Sequence, residues 1–214
     1  MEEMDVGDGT SGCGSKILCL HGYRQCANIF KQKIGSFRKL LKDEAELCFI
    51  DAPNCLKNDS NERGWWIKKE DLPSISNENF NNCVGLQDSI NQVKNICQEE
   101  GPFDGLMGFS QGAAFIAILC SLIQNDMHFK YVILISGFKS SESSFSIYYT
   151  NILKIPSLHV IGESDTVVNK QRSEELAKYF ESTSVELLIH KGGHYVPASK
   201  IFKQKYISFI KKHT

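Results

Sequence analysis

The stretch GPFDGLMGFSQGAA, residues 101–114, decides the fold of this 214-residue chain. An apolar run leads directly into Ser110, and an alanine-rich segment follows it. Gly108 and Gly112 flank the serine in a G-x-S-x-G pattern, which is informative when a buried strand precedes it and a helix follows. The pattern predicts a sharp strand-to-helix turn that strains Ser110 and leaves no room for a Cβ atom at either glycine. Ser110 is therefore a candidate nucleophile at the positive end of a helix. The alternative, a serine that only caps the helix, requires neither glycine.

Short apolar runs alternate with helical patterns on both sides of this turn, which is typical of a parallel sheet with crossover helices. The predicted strands are 16–20, 46–50, 103–109, 131–135, 158–161 and 185–190. The predicted helices are 28–41, 81–97, 111–123, 170–180 and 198–212. The polar segment 54–80 interrupts the alternation and is predicted to be an irregular excursion. The pattern predicts an α/β fold of about six mostly parallel strands flanked by helices.

Composition and charge are those of an ordinary globular domain. Hydrophobic residues make up 42% of the chain, charged residues 23%, and the net charge is -1. Nucleic-acid binding needs a concentrated basic surface, which the sequence does not supply. Residues 1–15 are rich in glycine and acidic residues and are predicted to be a disordered tail, with a single domain over 16–214. The tail lacks the pattern of a signal peptide, and no run reaches the roughly 18 apolar residues of a membrane span.

The eight cysteines contain no C-x-x-C pair, which disfavours a zinc site. Several of them lie in apolar runs, where a thiol behaves as a small buried hydrophobe. We expect no metal and a reduced, cytoplasmic protein, with a nuclear location also compatible. The sequence leaves the oligomeric state open.

Two further residues complete a candidate catalytic set. A serine hydroxyl becomes a good nucleophile when a neighbouring base accepts its proton. In the α/β-hydrolase fold an acid and then a histidine follow the serine along the chain. His194 follows the last predicted strand and Asp165 follows the strand before it, so we predict a Ser110-Asp165-His194 triad. His190 and Glu163 are the alternatives for the base and the acid.

Acyl transfer also needs N–H donors aimed at the developing oxyanion. The amide after the nucleophile, that of Gln111, is one predicted donor. The second is the amide of Tyr23, in the His21-Gly22-Tyr23 loop after the first strand. We expect His21 to be a structural hydrogen-bonding residue rather than a second base.

Together, LCLHGYRQ, RGWW, GPFDGLMGFSQGAA, ILISGF, SLHVIGESD and GGHYVP resemble the FSH family of serine hydrolases, and in particular its animal esterase branch. The resemblance covers the chain from about Lys16 onward. It implies an α/β-hydrolase without a large separate lid, and carboxylic ester hydrolysis by a Ser-Asp-His triad that maps onto the three residues above. The family often has Asp where this chain has Glu163. The piece GFSQGA also occurs in acyl-protein thioesterases.

The expected reaction is two-step acyl transfer to water on a small-molecule ester, with no metal or organic cofactor. Trp65, Trp66 and Phe138 are hypothesised to form an apolar acyl pocket for medium- to long-chain acyl groups, with Phe145 as a further candidate. The indoles have an alternative role, which is to pin the excursion to the core. Arg24 and Arg63 are less favoured candidates for binding a charged group. The alternative functions are an acyl-protein or small-molecule thioesterase and a catalytically inactive binding protein.

Overall fold

The computed structural model describes residues 14–56, 59–68, 71, 83–122 and 128–214. The strands in chain order are β1 (Ser15–Leu20), β2 (Ala45–Ile50), β3 (Asn54–Leu56), β4 (Asp59–Gly64), β5 (Ile67–Lys68), β6 (Cys83–Val84), β7 (Gly105–Phe109), β8 (Tyr131–Ile135), β9 (Ser157–Gly162) and β10 (Val185–His190). The helices are α1 (Ala27–Lys33), α2 (Gly35–Leu41), α3 (Leu86–Glu100), α4 (Gln111–Leu122), α5 (Lys170–Ala177) and α6 (Lys200–His213). A 3₁₀ helix covers Ser143–Tyr149.

Six of the described strands form one parallel sheet in the order β10-β9-β8-β7-β1-β2. This confirms the predicted α/β class. The chain runs outward from β1 to β2, returns to β7 on the other side of β1, and then continues to β10. The strand order therefore reverses between β1 and β7, and in open parallel sheets the crevice at such a reversal is the usual ligand site. The loops after β1 and β7 carry Tyr23 and Ser110.

Alternating side chains of the central strands feed two apolar layers, because successive residues of a strand point to opposite faces of the sheet. On one face Leu18 and Leu106 pack with α4 and with Trp65. On the other face Ile17 and Met107 pack with α1, α2 and α6. The parallel sheet is thus covered on both faces, so its carboxyl edge is where loops can meet solvent.

Two predicted helices differ from those of the structure. The helix predicted over 28–41 is two helices that meet at Ile34, next to Gly35, a weak helix former. The helix predicted from residue 81 begins at Leu86, because Val84 pairs with Ile67 in a short antiparallel ladder and Gly85 has φ of +83°.

The excursion predicted to be irregular contains regular pieces among its described residues. β3 and β4 form an antiparallel pair, and β5 continues directly after the two tryptophans. Residues 57–58, 69–70 and 72–82 lie outside the described part, as do residues 1–13 of the predicted tail. Ser15 is buried and already belongs to β1. Among the described helices, none has the length and apolar character that a bilayer crossing demands.

Candidate active site

Ser110 occupies a strained turn between β7 and α4, as the flanking glycines predict. Its φ is +54°, a left-handed conformation that is uncommon for a residue with a side chain. A Cβ atom on Gly112 would lie 2.4 Å from the carbonyl oxygen of Leu20, and one on Gly108 would lie 2.5 Å from the amide nitrogen of Ala113. The turn is fixed by a 2.9 Å hydrogen bond from the Ser110 amide to the Ile135 carbonyl. The close approach of α4 to β7 at Gly108 and to β1 at Gly112 therefore depends on the two glycines, and it presents a half-buried serine at the sheet edge.

His194 and Asp165 come together from the loops after β10 and β9. The His194 Nδ1 atom lies 2.7 Å from the Asp165 Oδ2 atom. The imidazole ring also lies 4.7 Å, between ring centroids, from Phe109, the residue directly before Ser110. Donation of the Nδ1 proton to the carboxylate leaves Nε2 as the basic nitrogen of His194. The structure thus brings the predicted acid and base into contact over the end of the strand that carries the predicted nucleophile.

The Asp165 carboxylate is held in place by a complete set of donors. Its side chain has no exposed surface, and its Oδ1 atom accepts hydrogen bonds from the amides of Val167, at 2.9 Å, and Val168, at 2.8 Å. Burial raises the pKa of this carboxyl group, but the hydrogen bonds from His194 and the two valine amides outweigh burial. The net pKa lies below its ordinary value, so Asp165 remains an ionised partner for the imidazole. The two amides are positioning groups that the sequence analysis did not identify.

The alternative acid and base lie elsewhere. Glu163 is exposed, and its backbone amide donates to the His190 carbonyl at 2.8 Å. The His190 ring is buried against Tyr195, and its Nδ1 atom accepts a hydrogen bond from the Gly192 amide. Burial lowers the pKa of His190, which favours the neutral ring. Within the described chain, the only imidazole-carboxylate contact is that of His194 with Asp165.

The backbone amides of Gln111 and Tyr23 are the two predicted oxyanion donors. In the described residues, the Gln111 and Tyr23 amides donate to no other protein group, and both residues line the cleft that contains Ser110. The Gln111 side chain is held by the backbone of the two tryptophans. Its Oε1 atom accepts from the Trp65 amide at 2.9 Å, and its Nε2 atom donates to the Trp66 carbonyl at 2.8 Å. In the described residues both amides are therefore without a protein acceptor, as donors to an oxyanion must be before substrate binds.

His21 has the structural role that the sequence analysis expects. It is fully buried, and its Nε2 atom accepts the Ala52 amide at 2.9 Å. Its Nδ1 atom therefore carries the proton and donates to the Gly22 carbonyl at 2.8 Å. Burial lowers its pKa, which keeps the ring neutral. His21 therefore connects the loop after β1 to the turn after β2.

The two tryptophans have different positions. Trp65 has no exposed surface, stacks on Phe115 at 5.0 Å between ring centroids, and donates from its indole nitrogen to the His21 carbonyl. The structure therefore does not bring Trp65 to the cleft surface, and its contacts are those of a residue that pins the excursion to the core. Trp66 lines the cleft and packs edge-on against Phe145, which is itself buried.

The cleft next to Ser110 encloses about 260 Å³ and has two kinds of wall. Its apolar wall consists of Trp66, Phe138, Val167 and Val168. Its polar wall consists of Lys68, Ser140, Ser141, Glu142 and Arg172. Trp66 and Phe138 were predicted from the sequence, but none of the charged residues was, because no spacing in the sequence relates those charged residues to Ser110. Arg24 and Arg63 do not line the cleft, and Arg24 instead pairs with Asp71 at 2.7 Å.

A larger groove of about 790 Å³ lies between the end of α4 and the 3₁₀ helix. None of the predicted site residues lines it. The larger volume therefore does not mark the candidate site. We assign the site to the smaller cleft, because Ser110 in its strained turn and the residues Tyr23 and Gln111 line that cleft. In the described ranges, no group of three or more His, Cys, Asp or Glu side chains could hold a metal ion.

Known proteins resemble this chain over most of its length. The family model described as "Serine hydrolase (FSH1)" matches residues 11–206. Esterase OVCA2 of Danio rerio is 39% identical over 92% of this chain and 96% of its own length, and Esterase OVCA2 of Homo sapiens is 35% identical over 91% and 95%.

Solved structures match the same fold. The crystal structure of esterase PE8 has a TM-score of 0.65 at 19% identity and covers 95% of both chains. That of Zea mays acyl-protein thioesterase 2 has a TM-score of 0.60 at 16% identity, over 92% of this chain and 94% of its own. At these identities the structures establish the α/β-hydrolase fold and nothing about the substrate. The family match, together with the relatives named above, shows that the chain belongs to the FSH1 family of serine hydrolases and is an enzyme of the serine esterase type.

Proposed function

We propose that this protein hydrolyses carboxylic esters of medium- to long-chain acyl groups through an acyl-enzyme on Ser110, with His194 as general base and Asp165 as its orienting acid. The observation that carries the proposal is the 2.7 Å contact between His194 Nδ1 and the fully buried Asp165 carboxylate, beside the strained turn of Ser110. A buried, ionised carboxylate at Nδ1 fixes the tautomer in which Nε2 can take a proton from a serine hydroxyl.

In the proposed first step, the Ser110 Oγ atom forms a bond to the ester carbonyl carbon while its proton passes to His194 Nε2. The carbonyl π electrons move onto oxygen and give a tetrahedral oxyanion. When this intermediate collapses, the C–O bond to the alcohol breaks, and the leaving oxygen takes the proton from the imidazolium. General base catalysis of this kind contributes about 10²- to 10⁴-fold. The Asp165 carboxylate stabilises the imidazolium and remains ionised.

In the second step, water attacks the acyl carbon and gives its proton to the same Nε2 atom. The acid product leaves, and the proton returns to Ser110 Oγ. No external oxidant or cofactor enters either step. In both steps the oxyanion is proposed to accept from the Tyr23 and Gln111 amides, which have no other acceptor in the described residues. One such donor contributes about 10²- to 10³-fold in turnover.

The acyl chain is proposed to lie along the apolar wall formed by Trp66, Phe138 and Val168. A cleft of about 260 Å³ is near the small end of ligand pockets, so it encloses only the first part of a longer chain. Val167 and Lys68 are exposed at the margin of the cleft, where the remainder of the chain can leave it. Each additional buried methylene contributes about 0.8 kcal/mol of binding. Esters with longer acyl groups should therefore be better substrates until the wall is covered.

The test is hydrolysis of p-nitrophenyl acetate, butyrate, octanoate and dodecanoate by the wild type and by Ser110→Ala, with a thioester of octanoate alongside. We expect turnover by the wild type to rise from acetate to octanoate and turnover by Ser110→Ala to be absent. Labelling by a fluorophosphonate probe should be lost in the same variant. A preference for acetate would reject the acyl pocket but keep the triad. Turnover of the thioester alone would favour a thioesterase, and wild type that neither turns over nor is labelled would favour a binding protein.

A further inference from the structure

Arg172 is a cation in the cleft without an anionic partner in the described residues. It lies in the first turn of α5, is half-buried, and its guanidinium carbon sits 4.5 Å from the centroid of the Phe138 ring. In the described portion of the chain, its guanidinium group has no carboxylate within 4.0 Å and makes no hydrogen bond. Stacking on an aromatic face fixes the plane of the guanidinium but leaves its N–H donors available.

The position of Arg172 is not explained by helix stability. The first turn of a helix favours acidic residues, and a cation there is unfavourable by a fraction of a kcal/mol. The first turn of α5 contains Lys170 and Arg172 and no acidic residue. Lys170 is compensated by Glu174, one turn later, at 3.6 Å. Arg172 has no such compensation and faces the cleft instead.

The other charged groups at the cleft give a net positive wall. Lys68 is exposed at the margin and lines the same cleft, and Glu142 is the only carboxylate among the described lining residues. Two cations therefore face one anion. Asp165 lies close by, but its charge is already engaged by His194 and two backbone amides. An anion that enters the cleft is attracted by Arg172 and Lys68 and repelled by Glu142, and the Asp165 carboxylate, shielded by its three hydrogen bonds, adds a weaker repulsion.

We propose that Arg172 recognises a negatively charged group, a carboxylate or phosphate, on the ester substrate, so that the substrate is an amphiphile with an acyl chain on Trp66 and Phe138 and an anion on Arg172. This inference rests on the proposed function and adds the charge of the substrate to it. Guanidinium N–H groups suit carboxylate and phosphate oxygens geometrically, and a charge-assisted hydrogen bond in a half-desolvated cleft contributes about tenfold or more. Lys68 strengthens the local field without a fixed geometry.

The experiment compares matched esters that differ by one charge. On the acyl side, mono-p-nitrophenyl adipate is compared with p-nitrophenyl hexanoate. On the alcohol side, the hexanoate ester of para-hydroxybenzoate is compared with that of para-hydroxybenzamide. The measured quantity is the ratio of kcat/KM for the charged ester over its neutral partner. The side on which the ratio exceeds one identifies the half of the substrate that carries the anion.

Four variants give the inference its specificity. For one of the two pairs, we expect a wild-type ratio of about ten or more. The ratio should drop to near one in Arg172→Gln, and Arg172→Lys should retain part of it, because lysine keeps the charge without the guanidinium geometry. Glu142→Gln should raise the ratio, because it removes the opposing carboxylate. Lys170→Gln removes the same charge from the same helical turn outside the cleft and should leave the ratio unchanged. Added salt should lower the wild-type ratio.

Two results overturn the inference. One is a wild-type ratio near one for both pairs, and the other is a high ratio that Arg172→Gln does not reduce. A binding experiment separates failure of the anion site from failure of the proposed chemistry. The same esters are titrated calorimetrically into the Ser110→Ala variant and into the double variant Ser110→Ala/Arg172→Gln. Preferential binding of the charged ester that depends on Arg172, without turnover by the wild type, would reject the esterase mechanism but keep the anion site. Absence of that preference would reject the anion site even if neutral esters are hydrolysed.

Discussion

The two sides of Ser110 are built differently. On the triad side, the buried Asp165 carboxylate accepts three hydrogen bonds, and the loops after β9 and β10 are joined backbone to backbone, as in the 3.1 Å bond from the Ser164 amide to the Gly192 carbonyl. On the cleft side, the walls are aromatic faces and charged side chains, and Arg172 is held by a ring rather than by a counterion. The fold therefore holds Asp165 and His194 by hydrogen bonds, whereas the side chains that line the cleft are constrained by few polar contacts.

The largest expected effect lies on the triad side. Asp165→Asn keeps an oxygen for the Val167 and Val168 amides but presents a neutral group to His194, so the imidazole loses its fixed tautomer and its stabilising charge. We expect kcat to fall by about 10⁴-fold, with the secondary structure unchanged by circular dichroism. Glu163→Gln removes a carboxylate from the same loop, and because Glu163 is exposed we expect kcat within about twofold of wild type. Equal losses in the two variants would contradict the proposed role of Asp165.

On the cleft side, the corresponding change is Trp66→Ala. Trp66 is 4% exposed and packs edge-on against Phe145, so its removal opens a cavity and should cost about 3–5 kcal/mol of the free energy of unfolding. Denaturant titration measures this cost.

Trp66→Phe keeps an aromatic face and separates stability from recognition. In this variant we expect a small loss of stability and a flatter dependence of kcat/KM on acyl length, measured with the p-nitrophenyl ester series. An unchanged dependence in Trp66→Phe and in the folded fraction of Trp66→Ala would show that Trp66, like Trp65, only anchors the excursion.

The triad side could be predicted from the sequence because it depends on chain order. In a parallel sheet, the residues that follow successive strands arrive at the same edge, so Ser110, Asp165 and His194 are placed by topology. The glycines around Ser110 carried the information about the turn, since each marks a close backbone approach.

The cleft side could not be predicted in the same way. Arg172 reaches the cleft because α5 begins shortly after the acid loop, and Phe138 because of the path taken by the segment after β8. Neither placement is encoded by a local pattern. Trp65 and Trp66 are adjacent in the sequence, and only the β4–β5 geometry decides that the first is buried and the second borders the cleft.

Gly112 allows α4 to lie close to β1, so a substitution there tests the packing that positions the turn of Ser110 between the two sides. A Cβ atom there would lie 2.4 Å from the Leu20 carbonyl oxygen, which belongs to backbone that cannot easily move. Gly112→Ala should therefore destabilise the protein by about 1–3 kcal/mol and lower turnover, because α4 shifts and carries the Gln111 amide with it. Gly35→Ala is the matched control, since a Cβ atom at Gly35 meets nothing within 4 Å and should stabilise the helix by about 0.5–1 kcal/mol. Thermal denaturation of both variants measures the contrast.

The smallest effect is expected from acid, which should act through the buried histidines, two of which lie in β9 and β10 on the triad side. Burial lowers the pKa of His159 in β9 from 6.5 to about 3, so the folded protein holds this ring neutral. Below pH 6.5 the unfolded chain binds a proton that the folded chain does not, and stability falls by up to about 1.4 kcal/mol per pH unit from this group. His190 and His21, whose pKa values are also lowered by burial, act with the same sign in this range.

The variant His159→Gln tests this prediction and keeps a polar group near Ser157. Between pH 6.5 and 5, the unfolding free energy of this variant should depend less steeply on pH, with a slope that corresponds to up to one proton fewer taken up on unfolding. Urea titration at several pH values measures the slope. An equal slope in the variant would mean that His159 takes up a proton without unfolding of the protein, and would contradict the burial that holds the ring neutral.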